Sequence, residues 1–93
     1  MKLLFPNGEH AQALLSPGTN RIGSAGDGQV VLNQPGVAAV HCEILLQGEA
    51  ATLHVTDPAS SVTVNGRPAS GAMAVRAGDL PGIGPVQARV GAV

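Results

Sequence analysis

A chain of 93 residues and 9.2 kDa has room for one thin hydrophobic core, since a domain of this size buries only about 60–65% of its unfolded surface. Apolar residues make up 44% of it and charged residues 12%, which excludes intrinsic disorder and the salt-bridge-laced helices of coiled coils. A net charge of −1 with no basic cluster, and Phe5 as the single aromatic side chain, exclude phosphate-backbone binding and base-stacking platforms, so no nucleic-acid partner is expected.

Taken in chain order, Leu3-Leu4-Phe5 is stopped by Pro6, too soon for a signal-peptide apolar segment of about 7–15 residues. Turn chemistry then recurs at Pro6-Asn7-Gly8, Ser16-Pro17-Gly18, Gly26-Asp27-Gly28, Gln34-Pro35-Gly36, Asp57-Pro58, Asn65-Gly66, Ala77-Gly78-Asp79 and Pro81-Gly82. This spacing is close to the roughly 8–12 residues of a small sandwich. Between the turns, side chains alternate with period two, as they do on a half-buried strand. Val30 and Leu32 alternate with Gln29, Val31 and Asn33. Val40, Cys42, Ile44 and Leu46 form one apolar face, which places His41, Glu43 and Leu45 on the other. Leu53 and Val55 alternate with Thr52, His54 and Thr56, which directs His54 to solvent. Asn65-Gly66, between Val62-Thr63-Val64 and Arg67-Pro68, predicts a hairpin, because a type I′ turn needs positive φ at both central residues. Val86, Ala88 and Val90 close the series. No stretch carries a 3.6-residue apolar period free of Gly and Pro, so no substantial helix is expected. The reading is all-β: nine to eleven short strands in two antiparallel sheets, a single domain over 1–93. The longest uninterrupted apolar run is four residues, as at Val37–Val40, against about 20 for a membrane span, so no membrane insertion is expected. Cys42 is the one cysteine, which rules out an intramolecular disulfide and fits a reducing compartment, the cytoplasm.

Motifs for chemistry are missing. Gly23-Ser24-Ala25-Gly26-Asp27-Gly28 has neither the Lys-Ser/Thr of a phosphate loop nor the Gly-x-Gly-x-x-Gly spacing, and Gly82-Ile83-Gly84 has Gln87 in the third glycine position. His41 and Cys42 are neighbours on one strand and point to opposite faces, so they do not ligate one ion; no metal or other cofactor is expected. Cys42 reads as a small buried hydrophobe. No serine stands in Gly-x-Ser-x-Gly. Asp57 and Asp79 read as turn carboxylates bonded to local amides. The chain is therefore not read as an enzyme, but as a binding module whose function sits in its loops.

Read together and in order, four features resemble the forkhead-associated (FHA) domain. They are Arg21-Ile22-Gly23-Ser24 followed by Val30-Val31-Leu32; Val37-Ala38-Ala39-Val40-His41; Asp57 with Ser60-Ser61; and Val64-Asn65-Gly66-Arg67-Pro68 with a later Ala77-Gly78-Asp79. The resemblance implies a β-sandwich of about eleven short antiparallel strands, and phosphothreonine-peptide binding by loops at one end. It also implies the site: Arg21, Gly23, Ser24, Ala38, Ala39, Ser60, Ser61 and Asn65 in peptide-binding loops, with His41 and Gly66 as structural supports. The gripping groups are altered. Ser24 stands where the family has a phosphopeptide-contacting Arg, Ala38 where it has a phosphate-binding Ser, and Ala59-Ser60-Ser61 is a shortened form of its Ser-x-Asn-Gly loop. Losing the Arg fork and the Ser hydroxyl removes about 3–6 kcal/mol of phosphate binding. The expected function is a protein-interaction module that is phospho-independent or only weakly phosphothreonine-binding, with a protein or peptide as partner. The alternative is a working phosphothreonine-peptide reader that uses Ser24, Ser60, Ser61 and Arg21. The Gly-Ser and the missing phosphate-binding Ser are also similar to the cytoplasmic FHA-like domains of type III secretion inner-ring proteins.

Overall fold

The computed structural model describes residues 1–26, 28–48, 50–56, 61–69 and 71–92. Among them run twelve strands and no helix: β1 (Lys2–Leu4), β2 (Ala13–Leu14), β3 (Gly18–Gly23), β4 (Val30–Val31), β5 (Cys42–Gln47), β6 (Ala50–Val55), β7 (Val62–Val64), β8 (Arg67–Pro68), β9 (Ala72–Val75), β10 (Pro81–Ile83), β11 (Val86–Gln87) and β12 (Arg89–Gly91). The all-β sandwich expected from alternation is what the chain forms.

Hydrogen bonding divides the strands into three ladders, of order β12-β1-β2, β11-β10-β7-β8 and β4-β3-β5-β6-β9. The first two are stitched into one layer, because Ala88 N–H donates to the Pro81 carbonyl and Val90 N–H to that of Asp79, both at 2.9 Å. That layer packs on the five-stranded sheet. Leu3, Val62, Val64, Ile83, Val86 and Val90 on one side meet Ile22, Val30, Cys42, Ile44, Leu46 and Leu53 on the other, all buried. The alternation over 86–90 is realised fully: Val86, Ala88 and Val90 are inside, Gln87 and Arg89 outside. Besides His41, the polar side chain of Asn20 joins the buried set. Its Nδ2 donates to the carbonyls of Ser16, Gly18 and Ile44 and its Oδ1 accepts from Ser16 N–H, so it is buried with its hydrogen bonds made.

Five expectations need correction. The strands number twelve, and β3 and β4 pair in parallel, through Ile22↔Val30 and Gly23↔Val31, where antiparallel pairing alone was expected. A connection that leaves β3 and returns beside it within seven residues reverses direction twice, and alternation carries no sign of that. Pro81-Gly82 opens β10 instead of turning; Pro is tolerated as the first residue of a strand, where its missing N–H breaks no ladder bond. The alternation over 40–46 begins two residues late. Val40 and His41 precede the strand, Val40 is exposed, and His41 is buried where alternation placed it on the face away from the core. His54, expected in solvent, is half-buried on the outer face of β6, in register with Glu43 and Ala72.

The Asn65-Gly66 hairpin is as predicted. Both residues have positive φ, 55° and 82°, and β7 and β8 pair as Val64↔Arg67 across them.

Candidate functional site

Backbone of three connections meets at one pole of the sandwich: 24–26 after β3, 32–41 before β5, and Thr56 and Ser61 at the two ends of the β6–β7 connection. What joins them is mostly backbone. Ser24 N–H donates to the Ala38 carbonyl at 2.9 Å and Ala25 N–H to that of Ala39 at 3.1 Å, so the first two connections are laced together. Their approach is close enough to dictate Gly23. A Cβ at that position would be driven into the Ala39 carbonyl oxygen and would lie 2.8 Å from that of Ala38, so any side chain there forces the connections apart.

His41 ties in the third connection from below. Ala38 N–H donates to His41 Nδ1 at 3.1 Å, which leaves the ring proton on Nε2, and Nε2–H donates to the Ser61 carbonyl at 2.7 Å. The same carbonyl accepts a bond from Gly84 N–H at 2.8 Å, so the β10–β11 turn is held to the same point. Thr56 Oγ1 adds a bond to the Val40 carbonyl at 3.0 Å. Buried with only 1% of its surface exposed, His41 thus connects backbone of 38 and 61 through one ring.

The sequence-derived residues fall in three places. Gly23, Ser24, Ala38, Ala39, Ser61 and His41 meet at this pole. Ser60 and Asp57 lie outside the described residues. Asn65 and Gly66 are at the opposite pole, separated from Ser61 by the length of β7. There Asn65 Oδ1 accepts from Leu80 N–H at 2.9 Å, and its Nδ2 donates to Asp79 Oδ1 at 3.2 Å. Asp79 is the turn carboxylate expected, with Oδ2 accepting from Arg76 N–H at 2.9 Å. That backbone bond and then the Asn65 amide hold its carboxyl below the ordinary value. Arg21 points outward on β3. It stands in register with Glu43, its Nε 3.4 Å from Glu43 Oε2, while its N–H donates to Gln29 Oε1 at 2.7 Å. The supports from Gln29, Thr56 and Gly84 are residues that sequence reading missed. Each acts across the fold, and nothing in its local pattern announces it.

The electrostatics follow from the sequence of the three connections. Among the described residues of these connections, 24–26, 28–29, 32–41, 56 and 61, there is no Lys, Arg, Asp or Glu. Cys42, immediately below, is fully buried, and burial with the nearby Glu43 charge pushes its thiol up to about 12. It is inert packing. No group of three or more His, Cys, Asp or Glu suited to a metal ion occurs among the described residues.

The family model described as "FHA domain" matches residues 20–84. Comparison with curated proteins finds no match. Among solved structures, the chain is similar at 28% identity and a TM-score of 0.91 to one from a structural and functional analysis of phosphothreonine-dependent FHA domain interactions, over 99% of this chain and 95% of that one. It is similar at 28% identity and a TM-score of 0.87 to the FhaA FHA domain in complex with the intracellular domain of Rv3910, over 95% and 96%. The cytoplasmic domain of the type III secretion sorting platform protein PscD of P. aeruginosa shares the fold, with 21% identity and a TM-score of 0.80 over 95% of this chain and 76% of that one.

Proposed function

Because the chain belongs to the FHA domain family, whose members are interaction modules, we propose that its loop pole docks an unmodified protein partner, and that phosphate on the partner adds little. The observation that carries this reading is the charge of the pole. A phosphothreonine brings a charge of about −1.5 to −2 at neutral pH. Among the described residues of the pole there is no Lys or Arg to meet it, and Arg21, on the adjoining strand β3, is already paired with Glu43 on the side of the sheet. The amides are engaged too, since those of Ser24, Ala25 and Ala38 donate within the protein, to the Ala38 and Ala39 carbonyls and to His41. FHA relatives are described in phosphothreonine-dependent interactions and in complex with a partner's intracellular domain, and on this reading the present chain keeps docking to a protein without the dependence on phosphate. Residues 1–93 act as one interaction domain without catalysis. No helix among the described residues is long and apolar enough to cross a membrane, and on this reading the domain works in the cytoplasm.

The test is an amide NMR titration with a degenerate phosphothreonine peptide library beside its unphosphorylated twin. Silence to both at millimolar peptide is expected. Shifts confined to 23–27, 36–41 and 60–65, seen only with phosphate, would establish the reader that uses Ser24, Ser60, Ser61 and Arg21 and overturn the proposal. The double variant Ser24→Arg with Ala38→Ser restores the two missing groups. It is expected to gain at least tenfold in phosphopeptide affinity, as each charge-assisted bond contributes about 1.5–3 kcal/mol.

A further inference from the structure

Among the described residues the three ladders end on six strands, and five of these are blunted or, like β12, bonded onward to the next ladder. β2, β4, β8 and β11 are two residues long, β8 being Arg67-Pro68, and β12 begins on Arg89 and ends on Gly91. Short length, charge and proline are the devices that keep sheet edges from pairing with other chains. The sixth edge, β9, has none of them. It is four residues, Ala72-Met73-Ala74-Val75, preceded by Gly71, uncharged throughout, and exposed from Gly71 to Ala74.

Its hydrogen-bonding direction can be assigned. Val55 N–H donates to the Gly71 carbonyl at 2.9 Å, and β6 and β9 are antiparallel with Leu53↔Met73 and Ala51↔Val75. In such a ladder successive residues turn their N–H and C=O to opposite sides. Gly71, Met73 and Val75 therefore face β6, and Ala72 and Ala74 turn both polar groups outward. Among the described residues no strand pairs with that side.

We infer that β9 is a self-association edge, at which two copies of this chain pair antiparallel about a two-fold axis through Met73. The occupant follows from the symmetry of the edge. With the axis at Met73, Ala72 of one copy stands opposite Ala74 of the other, and the four outward N–H groups meet the four outward carbonyls with none left over. Met73, which is 36% exposed, meets its own counterpart at the narrow, non-hydrogen-bonded position where side chains come closest. The alanines put no bulk in the way. The ladder stops at Arg76, the next outward residue, whose N–H is already taken by Asp79 Oδ2. The two five-stranded sheets then run on as one of ten strands, an isologous interface that closes at the dimer. So short a seam buries far less than the roughly 1,200 Å² of a stable interface, so the dimer is transient and half-populated at roughly 0.1–1 mM.

The experiment is sedimentation equilibrium of the 93-residue chain from 20 µM to 2 mM, with amide spectra recorded across the same range. The weight-average mass is expected to rise from 9.2 kDa towards twice that value, with concentration-dependent shifts centred on Ala72, Met73 and Ala74. Ala74→Pro removes an outward N–H and leaves the β6 ladder whole, so it is expected to stay folded and monomeric throughout. Met73→Lys places two like charges at the axis and is expected to weaken association at least tenfold; it decides the matter if the proline variant misfolds. A chain that is monomeric at 2 mM overturns the inference. So does association that persists unchanged in folded variants, or shifts that lie elsewhere.

Discussion

His41 gives its ring to two backbone groups that are 23 residues apart in sequence, Ala38 N–H and the Ser61 carbonyl. Truncating it leaves a buried amide without an acceptor and a void beneath the pole. His41→Ala is expected to cost about 2–4 kcal/mol, read as a lower denaturant midpoint at unchanged slope. The amides of Ser24, Ala38 and Ser61 should broaden or shift together, since one ring serves all three connections. How far this residue was legible is instructive. Family resemblance singled it out as a structural support, whereas the partners of its ring, Ala38 N–H and the Ser61 carbonyl, were not legible in the sequence. Alternation put it on the wrong face, because a period-two pattern carries no mark of where the strand begins. Val40 and His41 fit the pattern by composition yet belong to the turn that precedes Cys42.

Elements were most legible where the turn residue itself dictates the geometry. Asn65-Gly66 supplies positive φ twice, and the hairpin follows. Asn65 also spans to another turn, accepting from Leu80 N–H and donating to Asp79. Asn65→Ala puts a Cβ residue with no side-chain hydrogen bond at positive φ and unties both partners. A loss of about 1–3 kcal/mol is expected in thermal melts, with faster hydrogen exchange at Leu80. The linked carboxyl adds a pH term of definite sign. Asp79 is held below the ordinary 3.8, so its contribution is full above that pH and is lost as pH falls below it. The parallel β3–β4 pair was not legible. Its register is set by the Gly23 carbonyl accepting from Leu32 N–H at 2.8 Å and by the lacing of Ser24 and Ala25 to Ala38 and Ala39, all tertiary contacts. The same holds for Pro81-Gly82, where the local turn preference is overridden by pairing of β10 with both β7 and β11.

For the molecule as a whole, Cys42 is a built-in reporter. It sits on β5, the central strand of the five-stranded sheet, with no exposed surface, so a thiol reagent reaches it only when the sandwich opens. Labelling is expected to follow global unfolding, slow in buffer and fast past the denaturant midpoint. Its titration couples to stability as well. The thiol is raised from 9.0 to about 12 by burial and then by Glu43, so the folded state holds this proton more tightly than the unfolded chain. Stability is therefore unaffected below about pH 9 and falls by about 4 kcal/mol as pH rises from 9 to 12. Cys42→Ala should flatten that alkaline slope in denaturation curves recorded across the range.

The pairing of β1 with β12 also determines how the domain yields to force. Lys2 stands opposite Gly91 and Leu4 opposite Arg89, so both ends of the described chain leave the same end of one antiparallel ladder. Tension pulling those ends apart runs across that ladder, perpendicular to its strands, and opens its bonds one after another, as a zipper opens. It does not shear them all at once. The first strands to peel are β1 and β12, and the bonds around His41, on other strands, carry none of that initial load. Under traction the domain lengthens from its terminal seam while its loop pole still holds its shape.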